Sequence, residues 1–218
     1  MSKGRLDYKF SYRRHLPHVQ PPGTTLFVTS RLAGSIPAET QKQLNAEAAK
    51  VEATLAGIAD PQKRAQQAYL EHRRLFGQRD AALHHTTSGP FWLGQAEIAA
   101  VVAQEIHQHD NQLYDLDAFC IMPNHTHLVF TPLPKGDDKY HSLSKIMQTI
   151  KGRSAYQANP LLNRQGKFWQ HENYDHIVRD EAEWQRIITY TLNNPVKAGL
   201  VQQWQDWPWN YCKFSVEM

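Results

Sequence analysis

The run from Cys120 to Phe130, CIMPNHTHLVF, carries His125 and His127 one residue apart between apolar flanks. On a strand, residues i and i+2 project to one face, so both imidazoles could serve a single divalent ion. A polar, surface-facing pair is the commoner use of this spacing. The apolar flanks argue instead for a central strand, where unpartnered imidazoles are expensive. Further along, in ITYTLNNP, Tyr190 and Asn194 stand four apart and share one helical face. The amide oxygen of Asn194 is a hard ligand suited to magnesium or manganese, and the phenol of Tyr190 is a candidate nucleophile. Each has a plain alternative: Tyr190 as a core tyrosine with its hydroxyl at the rim, Asn194 as the ordinary residue before a helix-ending proline. The set of four carries weight that neither pair carries alone.

These side chains need elements to hold them. TTLFVTSRL (Thr24 to Leu32) is rich in β-formers and follows the turn signal QPPG, which predicts a first strand. A strong helix former runs from Ala38 to Gly57, and a second helix opens with Asp60 and Pro61 and is expected to stop at Gly77, with RDAALHHTTSG as loop. In GQAEIAAVVAQEIHQHD, Ile98, Val101, Val102 and Ile106 fall at helical spacing. LYDLDAFCIM and HTHLVFTPL read as strands joined by a tight Pro-Asn link. A basic helix follows, with Leu143, Ile146, Met147 and Ile150 as its apolar stripe. FWQHENYDHIVRD gives a short aromatic segment and a strand, and EAEWQRIITYTLNNP a last helix, stopped by Pro195. The order is βαββαβ plus a helix, an α+β, ferredoxin-like sandwich with a mainly antiparallel sheet. The chain is expected to form a single domain over 1–218, with a helical insertion at about 38–88 and a tryptophan-rich tail at about 200–218 packed on the body.

Bulk properties set bounds. The chain has 218 residues, 41% hydrophobic and 21% charged, ordinary values for a globular protein with a real core. No apolar run approaches the roughly 20 residues of a membrane helix, and the basic N-terminus has no apolar stretch behind it to make a secretory signal. Cys120 and Cys212 form neither a disulfide framework nor a zinc ribbon, which fits a cytoplasmic protein. The net charge of +3 is small, but its distribution is uneven. From Lys139 to Gln170 stand Lys139, Lys145, Lys151, Arg153, Arg164 and Lys167 without one acid. From Met1 to Arg31 stand Lys3, Arg5, Lys9, Arg13, Arg14 and Arg31 against Asp7 alone. Charge by itself does not separate a polyanion surface from a solvated basic face.

MPNHTHLVF followed by YTLNNPVKAGLV resembles the single-tyrosine transposases of the HUH superfamily, and most of all the REP-associated tyrosine transposases and their transposase-like relatives. The SYRRHLPH…PPGTTLFVTSRL opening and FWQHENYDHIVRDEAEW add to the resemblance, which runs from about Tyr12 to Trp209 and is least diagnostic over Ala38 to Ser88. It implies that His125, His127 and Asn194 bind Mg2+ or Mn2+ and that Tyr190 attacks a phosphodiester of single-stranded DNA, leaving a 5′-phosphotyrosine link and a free 3′-hydroxyl. Thr126 departs from the family's bulky hydrophobic residue between the histidines, with its side chain on the opposite face of the sheet. DNA hairpins are the expected partner, contacted by Arg13, Arg14, Lys145, Lys151, Arg153 and Lys167, with His171 available to stack on bases and Phe168 and Trp169 better read as core. No nucleotide cofactor is needed, because the bond energy is retained in the phosphotyrosine. The REP-associated branch is expected to act as monomers. Two other readings compete: a hairpin-binding descendant that no longer cuts, and a zinc hydrolase built on His125 and His127, which lacks an evident third His or carboxylate ligand and leaves Tyr190 idle.

Overall fold

A computed structural model describes residues 11–13, 17–19, 23–136 and 139–214. A short ribbon pairs β1 (Ser11–Arg13) with β2 (Pro17–Val19). The main sheet contains β3 (Leu26–Arg31), β4 (Tyr114–Met122), β5 (His125–Pro132), and, past the β6–β7 hairpin (Pro134–Gly136 and Lys139–Tyr140), β8 (Tyr174–Ile177) and β9 (Asn210–Cys212). Its order is β8-β3-β5-β4-β9, and every neighbouring pair is antiparallel. Without β9, the four strands appear in chain order as fourth, first, third, second, the ferredoxin-like arrangement expected from the element order.

The helices follow from the same sequence logic. α3 (Ala96–Gln108) buries Ile98, Val102 and Ile106, and α4 (Leu143–Leu161) buries Leu143, Ile146, Met147 and Ile150. Both stripes join one core with Leu26, Val28, Leu116, Phe119, Ile121, Leu128 and Phe130 from alternate positions of the central strands. Thr126 shares the register parity of Leu128 and Phe130, so it faces this layer and leaves the histidines on the other side. That other side takes α5 (Glu181–Leu192), which packs on β4, β5 and β9, and the short α6 (Asn194–Lys197), which packs on β4. Asp180 caps α5, its carboxylate accepting from the Glu183 N–H at 2.8 Å.

The chain divides into two compact units, one made of residues up to Ala33 and from Phe91 onward, the other of Gly34–Pro90. The second is a helical pair, α1 (Ala38–Ala56) and α2 (Pro61–His85). Its interior joins Ala48, Val51, Leu55 and Leu75 at one end and Ile36, Leu44 and Leu83 at the other. Here the expected stop at Gly77 is wrong: α2 runs on to His85. A glycine inside a helix costs only about 1 kcal/mol, and the extra turns carry Leu83 to its buried place beside Ile36 and Leu44.

The helix bearing Tyr190 also ends differently from the expectation. α5 stops at Leu192, and Asn194 and Pro195 open α6 instead of ending a helix. Proline cannot donate to the preceding turn. The Asn194 side-chain amide donates there in its place, to the Tyr190 carbonyl at 2.8 Å and more weakly to that of Thr191 at 3.5 Å. The tail supplies β9 as a fifth strand on β4, and the Trp207 indole N–H donates to the Ile121 carbonyl at 3.0 Å. Among the described residues no helix is long and apolar enough to cross a membrane.

Candidate active site

His125 and His127 sit on β5, the middle strand of five, and are 1% and 0% exposed. In register, His127 stands between Cys120 of β4 and Thr29 of β3, with Tyr174 of β8 beyond Thr29. All four lie in one row across the sheet.

Both imidazoles are held from behind. Asn124, the second residue of the β4–β5 turn and itself buried, places Oδ1 at 2.6 Å from His125 Nδ1. An amide oxygen only accepts, so His125 carries its proton on Nδ1 and presents the Nε2 lone pair. Thr29 Oγ1 lies 2.8 Å from His127 Nδ1. The two Nε2 atoms are 3.1 Å apart. Two nitrogen lone pairs do not face each other so closely without positive charge between them. Either His127 donates Nε2–H to His125 and accepts from the Thr29 hydroxyl, or a cation sits against both nitrogens and His127 moves its proton to Nδ1, with Thr29 accepting. A hydroxyl can serve both arrangements. Ligands at about 2.1 Å from one ion are about 3.0 Å apart at an octahedral angle and about 3.4 Å at a tetrahedral one. The observed 3.1 Å lies inside that interval, so the pair fits a divalent ion without rearrangement.

Tyr190 comes from α5 and lies over this pair. Its ring meets the His127 ring edge-on, with centroids 5.5 Å apart, and the Phe27 ring edge-on at 5.9 Å. Phe27 in turn stacks on His127 at 5.5 Å, so three rings fix one another. The Lys197 ammonium stands 4.6 Å above the Tyr190 ring, a cation–π contact. Asn194 is fully buried one turn on; its amide nitrogen is tied to the Tyr190 carbonyl, and the oxygen is the arm able to ligate a cation. The structure thus brings His125, His127 and Tyr190 together and hangs Asn194 on the backbone of Tyr190.

The predicted basic contacts separate into two groups. Lys145 and Lys167 are exposed. Lys151 and Arg153 act inside the fold: the Lys151 ammonium donates to the Gln170 carbonyl, the His171 carbonyl at 3.0 Å and Asn173 Oδ1 at 2.8 Å, pinning the segment that leads into β8. Arg153 Nε donates at 2.8 Å to Glu105, a carboxylate with 1% exposure that also accepts from Gln157, so these residues tie α4 to α3. Burial of Glu105 on the inner face of α3 demanded a cation that the run of basic residues did not reveal. Arg13 lies on β1, where only the backbone is described, and Arg14 lies outside the described residues. Phe168 and Trp169 are core, the Trp169 N–H donating to Ser154 Oγ at 3.0 Å, and His171 is exposed.

Sequence reasoning missed Thr29, Asn124 and Lys197. The Asn124 role had a local signal, its place directly before His125. Thr29 had none, because the strand pairing that delivers it spans 98 residues.

Residues 95–194 match the family model described as Transposase IS200 like. A putative REP-associated tyrosine transposase of Haemophilus influenzae is 30% identical over 103 residues, 44% of this chain and 58% of that protein. The REP-associated tyrosine transposase of Escherichia coli is 32% identical over 97 residues, 44% of this chain and 53% of its own length. The match thus spans little more than half the length of these curated relatives. A solved structure of a REP-associated tyrosine transposase bound to a REP hairpin shares the fold, with a TM-score of 0.52 at 19% identity over 91% of this chain and 80% of that one. Residues 95–194 thus match the IS200-like transposase model, the chain is similar in sequence to two REP-associated tyrosine transposases, and it shares the fold of a third.

Proposed function

We propose that the protein nicks and rejoins single-stranded DNA beside hairpins, with Tyr190 as nucleophile and His125, His127 and Asn194 as ligands of Mg2+ or Mn2+. One observation carries this reading: the Tyr190 ring meets the His127 ring at 5.5 Å, directly over a histidine pair whose Nε2 atoms converge at 3.1 Å. A core tyrosine needs no such neighbour, and a zinc hydrolase would leave it unused. The relative of known structure is bound to a REP hairpin, which supports a DNA hairpin as partner. The activity belongs in the cytoplasm.

When bound, the ion would polarise the scissile phosphate and offset developing charge. The chain supplies the rest. α5 and the Phe27 contact hold the phenol in a fixed place above β5, which spares the entropy of bringing nucleophile to phosphate. The Tyr190 oxygen attacks phosphorus, the phenolic proton is released, and the bond from phosphorus to the 3′ oxygen breaks; that oxygen takes up a proton and leaves as a 3′-hydroxyl. The product is a 5′-phosphotyrosine of similar bond energy, so a 3′-hydroxyl can attack it in turn and rejoin strands without ATP. Lys145 and Lys167, both exposed, would meet backbone phosphates.

The test mixes the protein and manganese with labelled single-stranded DNA hairpins and looks for a covalent adduct in a denaturing gel. An adduct present with the native protein and absent with Tyr190→Phe supports the reading. Tight hairpin binding with no adduct in either magnesium or manganese would replace it with a recognition-only protein.

A further inference from the structure

An open groove of about 390 Å3 runs along α5 and α6, lined by Gln185, Arg186, Thr189, Tyr190, Asn193 and Lys197 with Ala182 at its end. These positions recur at one-turn intervals, so they form a single stripe with Tyr190 in its middle. Arg186 is one turn before the tyrosine, about 6 Å along the helix, and Lys197 leans over the tyrosine ring. Both cations are exposed, and among the described residues no carboxylate forms an ion pair with either. The lining holds no acid; Glu181, which the Gln185 amide meets at 3.5 Å, is not part of it. The remaining polar groups are a hydroxyl and two amides, which can hydrogen-bond to phosphate or base edges.

Much of the lining surface is apolar: Ala182, the Thr189 methyl, the aliphatic stems of Gln185, Arg186 and Lys197, and the tyrosine ring. A trough with an apolar floor and a cation on either side of a proposed nucleophile matches a single strand, whose bases have apolar faces and whose phosphates carry one charge each.

We propose that this groove seats the single strand running past Tyr190, with Arg186 and Lys197 each taking a backbone phosphate. The proposal rests on the Tyr190 reading for its meaning but not for its test. The groove sets the register of the unpaired strand as it passes the Tyr190 ring, and Gln185 and Asn193 are the groups in its lining able to read bases.

The experiment measures binding of a fluorescein-labelled oligo-dT by anisotropy, in EDTA, over a salt series. It is done in the Tyr190→Phe background, so that cutting plays no part. Each phosphate contact on a single strand contributes a slope of about 0.7 in log affinity against log salt. Arg186→Gln should lower the slope by about that amount, so that its affinity deficit shrinks about 2.6-fold over a fourfold rise in salt. Arg186→Glu should weaken binding further, and Lys197→Gln should act as Arg186→Gln does. A blunt DNA hairpin without a flank should be bound alike by Arg186→Gln and its parent. Arg186 is exposed, and unchanged thermal melting checks that the variant is folded. An unchanged slope on oligo-dT, or an equal loss on the blunt hairpin, would overturn the groove. A wild-type protein that forms no adduct would overturn the nucleophile instead, and leave the salt-slope result standing.

Discussion

Thr29→Val isolates the support behind His127. Valine keeps the branched shape that a central strand favours, so the substitution removes little but the hydroxyl 2.8 Å from His127 Nδ1. Thr29 is 7% exposed, and water has poor access to replace it. A neutral buried hydrogen bond is worth about 1 kcal/mol, or about fivefold. Once a cation draws on His127 Nε2, the Nδ1–H becomes a charge-assisted donor, and such bonds are roughly twice as strong, about 2 kcal/mol or 30-fold. The metal-free protein already makes the weaker bond, so the expected loss of manganese affinity is the difference between the two, about 1 kcal/mol or about fivefold. Calorimetric titration of the folded protein with manganese measures it. Thr29→Ser should retain most of the affinity, and His127→Ala should lose it. Wild-type manganese affinity in Thr29→Val, with loss in His127→Ala, would show that the hydroxyl does not orient the ligand and would refute the reasoning.

Arg153→Met tests whether that cation serves the fold or the DNA. Breaking a fully buried ion pair costs about 3–5 kcal/mol, but the Arg153 side chain is 52% exposed and Gln157 still donates to Glu105. The loss should fall to about 1–2 kcal/mol, or roughly 2–8 °C of melting temperature. Unchanged melting with weakened DNA binding would reverse the assignment. Asp117 offers a pH test. Burial raises its carboxyl above the ordinary value, against the pull of the Trp184 indole N–H that donates to it at 2.7 Å. A folded-state value above the unfolded one means that the protonated form favours the fold. That contribution is whole below the unfolded value and is lost as pH rises through the folded one. Asp117→Asn keeps an acceptor for Trp184 without the charge. Its melting advantage over the native protein should be smallest in acid, grow as pH rises through the carboxylate range, and then level off; an advantage that shrinks with rising pH would contradict the burial argument.

Much of the site was legible because its signals are local. The alternation that puts His125 and His127 on one face of a strand, and the four-residue interval from Tyr190 to Asn194, are read within single elements. The apolar stripes of Ile98, Val102 and Ile106 and of Leu143, Ile146 and Ile150 likewise fix two helices and their buried faces, and the order of elements carries the ferredoxin-like plan. What the sequence left undecided was whatever depends on a partner from a distant segment. The β3–β5 register set Thr29 against His127, packing of α5 on β4 and β5 set Tyr190 over the pair, and the cost of burying Glu105 took Arg153 out of the basic face. Composition counts Lys151 and Arg153 as positive charge like any other. Only the tertiary structure shows which charges are spent on buried acceptors and which, like Arg186 and Lys197, stand open beside the tyrosine, because electrostatic partners are chosen by distance in space and not along the chain.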